Sequence, residues 1–63
     1  MLVKLKGKRV EKGLSQPKMA KLLGMAISTY SLKENGIREF TMTECIEIMK
    51  ILECKFEDIF RLS

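Results

Sequence analysis

The sequence predicts an all-α domain of five short helices, and three observations carry that prediction. Apolar residues recur at helical spacing five times along the 63 residues. Nowhere do β-branched residues alternate over a length useful to a strand. Gly13, Gly24 and Gly36, together with Pro17, stand where helices would stop and start. A chain this short buries only about 60% of the surface its unfolded state exposes, so residues 1–63 are expected to form one domain around one small core. There is no internal repeat, no low-complexity segment and no linker.

The first helix is expected over about Leu2 to Lys12, with Leu2, Leu5, Arg9 and Lys12 near one stripe and Val10 beside it. Gly13 follows where a helix C-terminus favours a left-handed residue. Leu14 is an apolar plug, and Ser15 is a good N-cap for a second helix whose first turn holds Pro17, where a missing N–H costs nothing. Met19, Leu22 and Leu23 are read as its inward face, with Ala20 permitting close approach, and the helix stops at Gly24. The third helix runs from about Ile27 to Glu34, with Tyr30 inward, and Gly36 ends it. Thr41 and Glu44 match a capping box that starts a fourth helix, continuing through Ile46, Ile48, Met49 and Ile51 to Leu52. The last segment, FEDIFRLS, is a short helix with Phe56, Ile59 and Phe60 on one side.

Helices two and three, joined by Leu23-Gly24-Met25, are short and amphipathic, and the second of them carries small hydroxylated residues in place of long charges. Two such helices on a tight Gly turn make the unit that places its second helix in the major groove of DNA. The charge is unevenly distributed. Residues 1–38 hold nine basic residues against two acidic, a net +7, and residues 39–63 hold three against six, a net −3. That split fits a polyanion-facing side opposite a side kept away from it, and equally an ordinary solvated surface with chance asymmetry.

Several classes are disfavoured. The protein has no His, and Cys45 and Cys54 lack a CxxC spacing, so a zinc site has few ligands to draw on. With no signal peptide, the two thiols are expected to be free in a reducing cytoplasm. No apolar run approaches the roughly 18–20 residues of a membrane span. No nucleophile–base pair suggests an enzyme. No cofactor or small-molecule ligand is expected.

Taken in register, several pieces resemble one family. These are LKGKRVEKGLSQ in the first helix, Gln16-x-x-Met19-Ala20-x-x-Leu23-Gly24-Met25 through the turn, Thr29-Tyr30-Ser31 in the third helix, Lys33-Glu34-Asn35-Gly36 at its end, and FEDIF near the C-terminus. From Leu5 through Phe60 the chain is similar to the lambda-repressor-like, Cro/C1-type (XRE-like) helix-turn-helix domains, in the form found in short regulators of bacteria and their phages. The resemblance implies a compact five-helix fold and sequence-specific binding of double-stranded DNA, most plainly as a repressor, with residues 27–34 as the recognition helix. It implies that Gln16 binds a phosphate while reaching toward a base. Ala26, Ile27, Ser28, Ser31 and Leu32 would face base edges, and Asn35, Gly36 and Arg38 would hold the next phosphates. Arg9 and Glu34 resemble an ion pair tying the first helix to the end of the third.

Other residues read more plainly. Thr29 divides evenly between DNA and a local cap, Tyr30 is core with its hydroxyl at the rim, the methionines fill gaps, and Cys45 and Cys54 are small core or rim hydrophobes. Lys33 stands where the family commonly has an apolar residue, and its stem is expected to pack while its ammonium emerges. Lys8 stands where many members have Leu, leaving the packing to Val10, and Lys55 replaces a small capping residue. Related proteins act as dimers, so a homodimer is expected through the acidic C-terminal half, with Phe40, Phe60 and Leu62 as apolar surface candidates. The competing reading is a protein-interaction module, such as an antirepressor or repressor partner, for which Ile27 and Leu32 would be equally suited.

Overall fold

The computed structural model describes residues 2–60. Among them are five helices and no strand: α1 (Val3–Glu11), α2 (Gln16–Leu23), α3 (Ile27–Glu34), α4 (Met42–Leu52) and α5 (Phe56–Ile59). Their boundaries follow local chemistry. Ser15 Oγ accepts the Lys18 N–H at 3.2 Å to open α2, and the expected Pro17 sits in that first turn. Thr41 and Glu44 form the full capping box of α4, with Thr41 N–H donating to Glu44 Oε1 at 2.9 Å and Glu44 N–H to Thr41 Oγ1 at 3.1 Å. Lys55 offers no capping side chain, so α5 is held from the other direction: Asp58 Oδ2 accepts the Lys55 N–H at 3.0 Å. The FRLS end of the last predicted segment continues past α5, and residues 61–63, Leu62 included, lie outside the described residues.

Leu5, Met19, Ala20, Tyr30, Ile48, Leu52 and Ile59 form the core, one or two from each helix. Leu2, Leu14, Leu23, Met25, Phe40, Met49, Ile51, Cys54 and Phe60 pack around it. Two expected packing residues are turned out. Val10 is 59% exposed and Leu22 is 48% exposed. At about 100° per residue, burying Leu5 and Arg9 in α1, or Met19 and Ala20 in α2, rotates each of them roughly a third of a turn off the inward face. Cys45 is buried, Cys54 half-buried, and both are free. Burial pushes both thiols above their ordinary pKa, Cys54 further by nearby Asp58, which makes them poor nucleophiles.

The α2–α3 turn depends on Gly24, whose φ of 69° and ψ of 31° are left-handed. An added Cβ there would meet no atom within 4 Å, so backbone conformation alone selects glycine. The Met25 N–H reaches back to Ala20 O at 3.0 Å and closes the turn. Ala20, 1% exposed, lets α2 and α3 approach, and these helices share the most extensive interhelical contact. A left-handed residue also ends α4, but there it is Glu53, at φ 53°.

Candidate nucleic-acid interface

α3 presents two unlike faces. Tyr30, Lys33 and Glu34 are buried, while Ala26, Ile27, Ser28, Leu32 and Asn35 are exposed and Ser31 is intermediate. Turning about 100° per residue, Ile27, Ser31, Asn35, Ser28 and Leu32 occupy one contiguous arc away from the buried face, and Ala26 is exposed ahead of it as the extended N-cap. Ile27 is 52% and Leu32 36% exposed, so two branched apolar side chains stand in solvent beside small hydroxyls. Asn35 Nδ2 lies 3.4 Å from Ser31 Oγ, an edge-of-range contact that links the end of the helix to its outer face. Gly36, at φ 81°, then reverses the chain, and Arg38 follows on the surface. The structure therefore brings eight of the nine expected contact residues onto α3, its cap and the loop that follows. The ninth, Gln16, opens the neighbouring α2.

The buried side of α3 is anchored through a carboxylate. Glu34 is fully buried, and Arg9 is 5% exposed. Arg9 Nε donates to Glu34 Oε2 at 2.9 Å and Nη2 to Oε1 at 3.2 Å. Arg9 Nη1 also donates to Leu14 O at 2.7 Å, while the Leu14 N–H returns to Arg9 O at 3.0 Å. The Tyr30 hydroxyl donates to Oε2, and Gln16 Nε2 donates to Oε1 at 3.1 Å. One carboxylate thus joins α1, the start of α2 and the end of α3, and Arg9 ties the α1–α2 turn to the same network. Burial pushes its pKa up, but the hydrogen bonds from Arg9, Tyr30 and Gln16 outweigh burial and hold it below the ordinary carboxylate range. Burial and the Glu34 contact drive the Tyr30 phenol far above its usual value, so it remains a donor.

The Arg9–Glu34 pair matches the expectation; two further features correct or extend it. Tyr30 is buried together with its hydroxyl bond, where a rim hydroxyl was expected. Lys33 does not send its ammonium to solvent. It is 8% exposed, its Nζ lies 2.7 Å from Glu44 Oε1, and it sits 5.9 Å from the Phe40 ring centroid. Glu44 is therefore both the cap of α4 and the counter-ion of α3. Burial raises its pKa, but the Lys33 hydrogen bond and the Thr41 N–H bring it below the usual range. Sequence reasoning missed this pair, although opposite charges at one inward position of α3 and at the start of α4 were a usable signal.

These internal pairs reshape the charge argument. Arg9 and Lys33 are neutralised inside the fold, and Lys12 contacts Glu53 at 3.2 Å. Around the helix pair, Lys18, Lys21 and Arg38 remain exposed. No helix among the described residues is long and apolar enough to cross a membrane.

Two short helices packed through a small residue, a left-handed glycine between them and an outward second helix held from behind define a helix-turn-helix DNA-binding domain. A family model described as helix-turn-helix matches residues 5–59. The chain belongs to the Cro/C1-type helix-turn-helix family, whose members are DNA-binding regulators. No curated protein matches the chain.

Proposed function

We propose that this protein, as one domain over residues 1–63, is a small transcriptional repressor of phage or bacterial origin that binds a double-stranded DNA operator as a homodimer. In this reading α3 enters the major groove with Ala26, Ile27, Ser28, Ser31 and Leu32 toward base edges. Asn35, Gly36 and Arg38 engage the flanking backbone, and Gln16, at the start of α2, reaches from it toward a base. The observation that carries the reading is the outer arc of α3, where Ile27 and Leu32 stand exposed among small hydroxyls on a helix fixed from behind. A merely solvated helix would carry long charges there.

Because these positions offer no bidentate side chain, recognition relies on thymine methyls against Ile27 and Leu32, on single hydroxyl bonds, and on DNA shape. The protein acts in the cytoplasm on nucleoid DNA, requires no cofactor, and represses by occupying a promoter. Dimerisation would place two recognition helices one helical turn apart, roughly 34 Å. With extents of 25 × 23 × 20 Å, one copy is sized to cover one half-site. Phe40 and Phe60 are half-buried against the core, leaving Phe56, 47% exposed and 5.0 Å from the Phe60 ring, as the aromatic on that side open to a partner.

Selection from a random DNA pool tests the reading. The expected product is an inverted repeat whose half-sites contain thymines sensitive to replacement by uracil. Ile27→Ala and Leu32→Ala should weaken binding while leaving thermal stability nearly unchanged. The exposed Ile27, Leu32 and Ile37 also favour a second reading, a protein-interaction module acting on another regulator. Absence of any enriched DNA sequence, with tight binding to a second protein, would establish that reading in place of the first.

A further inference from the structure

Gln16 carries an orientation that an exposed glutamine lacks. Its Nε2 donates to Glu34 Oε1 at 3.1 Å. A carboxylate held ionised by Arg9 accepts hydrogen bonds and cannot give one, so the amide cannot flip to place its oxygen there. Gln16 Oε1 accepts no hydrogen bond among the described residues, and none of their buried side-chain polar atoms lacks a partner, so Oε1 is open to solvent. The amide therefore keeps one acceptor and one N–H in a fixed arrangement.

We infer that Gln16 is a specificity-determining residue that reads adenine, with Glu34 taking the amide hydrogen on the far side and leaving Oε1 and the near N–H as a paired edge. This inference rests on the DNA-binding reading above. Adenine offers an N6 donor and an N7 acceptor in the major groove, which match that edge in both positions. Guanine offers two acceptors and would set O6 or N7 against Oε1. Cytosine satisfies only Oε1, and thymine only the N–H. A phosphate, being all acceptor, would use the N–H and leave Oε1 facing negative charge. The resulting order is adenine first, the pyrimidines next and guanine last. Glu34 acts here as a positioning residue, because its bond prearranges a side chain that would otherwise lose rotamer freedom on binding. No residue of α3 facing the groove brings a bidentate group, so this discrimination falls to Gln16 alone.

The test uses the full chain and the operator selected from a random DNA pool. In the wild type, one adenine per half-site should resist replacement, each change weakening binding about 5- to 150-fold. Its replacement by 7-deaza-adenine, which removes only the N7 acceptor, should also weaken binding. Both sensitivities should vanish in Gln16→Ala, whose melting temperature should stay close to wild type because Glu34 retains Arg9 and Tyr30. Gln16→Ala weakening every sequence by one common factor would overturn the inference and leave a phosphate contact. So would a wild type indifferent to 7-deaza-adenine at every position. A pool that enriches no sequence would overturn the DNA-binding reading together with this one.

Discussion

Replacing Arg9 by Met is the substitution with the largest expected consequence for folding. It keeps the length of the stem but strips Glu34 of two of its four hydrogen bonds and of its counter-ion. It also leaves Leu14 O without its 2.7 Å donor. Glu34 is fully buried, so water cannot take Arg9's place without opening the α1–α3 contact. Breaking one half of a buried ion pair costs about 3–5 kcal/mol. At roughly 0.05–0.15 kcal/mol per residue, a domain of 63 residues has about 3–9 kcal/mol in total. Arg9→Met should therefore remove most of the folding free energy, read as a large drop in urea midpoint by circular dichroism at pH 7. The double variant Arg9→Met/Glu34→Met buries no charge and should recover part of the loss. It still orphans the Tyr30 hydroxyl, at about 1–3 kcal/mol. A loss under about 1 kcal/mol in Arg9→Met would refute the argument, as would a double variant no more stable than the single.

The same pair sets the acid limit. Glu34 titrates below the ordinary carboxylate range when folded, so the folded state binds fewer protons than the unfolded state as the pH approaches that range from above. Its stabilisation is complete above the unfolded value of about 4.3 and is lost as the pH falls through the lower folded value. Glu44 has the same sign. Urea midpoints should therefore hold near neutral pH and decline below about pH 4.5. The double variant should decline less steeply, with only Glu44 of this pair of carboxylates left to contribute.

Three further substitutions isolate single features. Glu53→Gly relieves a left-handed non-glycine residue at the end of α4, and loses only an exposed contact to Lys12. Thermal denaturation should show a gain of about 1 kcal/mol, a rise of several degrees in Tm. Gly7→Ala adds a methyl with no atom within 4 Å in the middle of α1, and should stabilise by about 1 kcal/mol without altering DNA affinity. Thr41→Ala removes the side-chain half of the α4 capping box and should cost about 1 kcal/mol in urea unfolding.

What the sequence made legible and what it hid divide along the range of the interactions. Ser15, Gly24 and the Thr41–Glu44 box place helix ends through contacts within four or five residues, so their positions could be read before any tertiary structure was known. The outer arc of α3 was legible for a related reason: once Tyr30 and Glu34 are assigned inward, helical geometry alone turns Ser28, Leu32 and Asn35 out. Glu53 was hidden because left-handed backbone is signalled by glycine, and none stands there. Lys33 was hidden because the fate of a long cation depends on which helix crosses it, and Glu44 lies eleven residues away.

Gln16 shows the division most sharply. Its place at the start of the second helix followed from motif spacing. Its tie to Glu34, across eighteen residues, depends on how α2 lies against the end of α3. The carboxylate that fixes the scaffold through Arg9 therefore also orients Gln16. Losing the Gln16 bond should blur base preference while the domain stays folded, because that bond lies at the partly exposed edge of the network and the Arg9 bonds that hold the fold lie inside it.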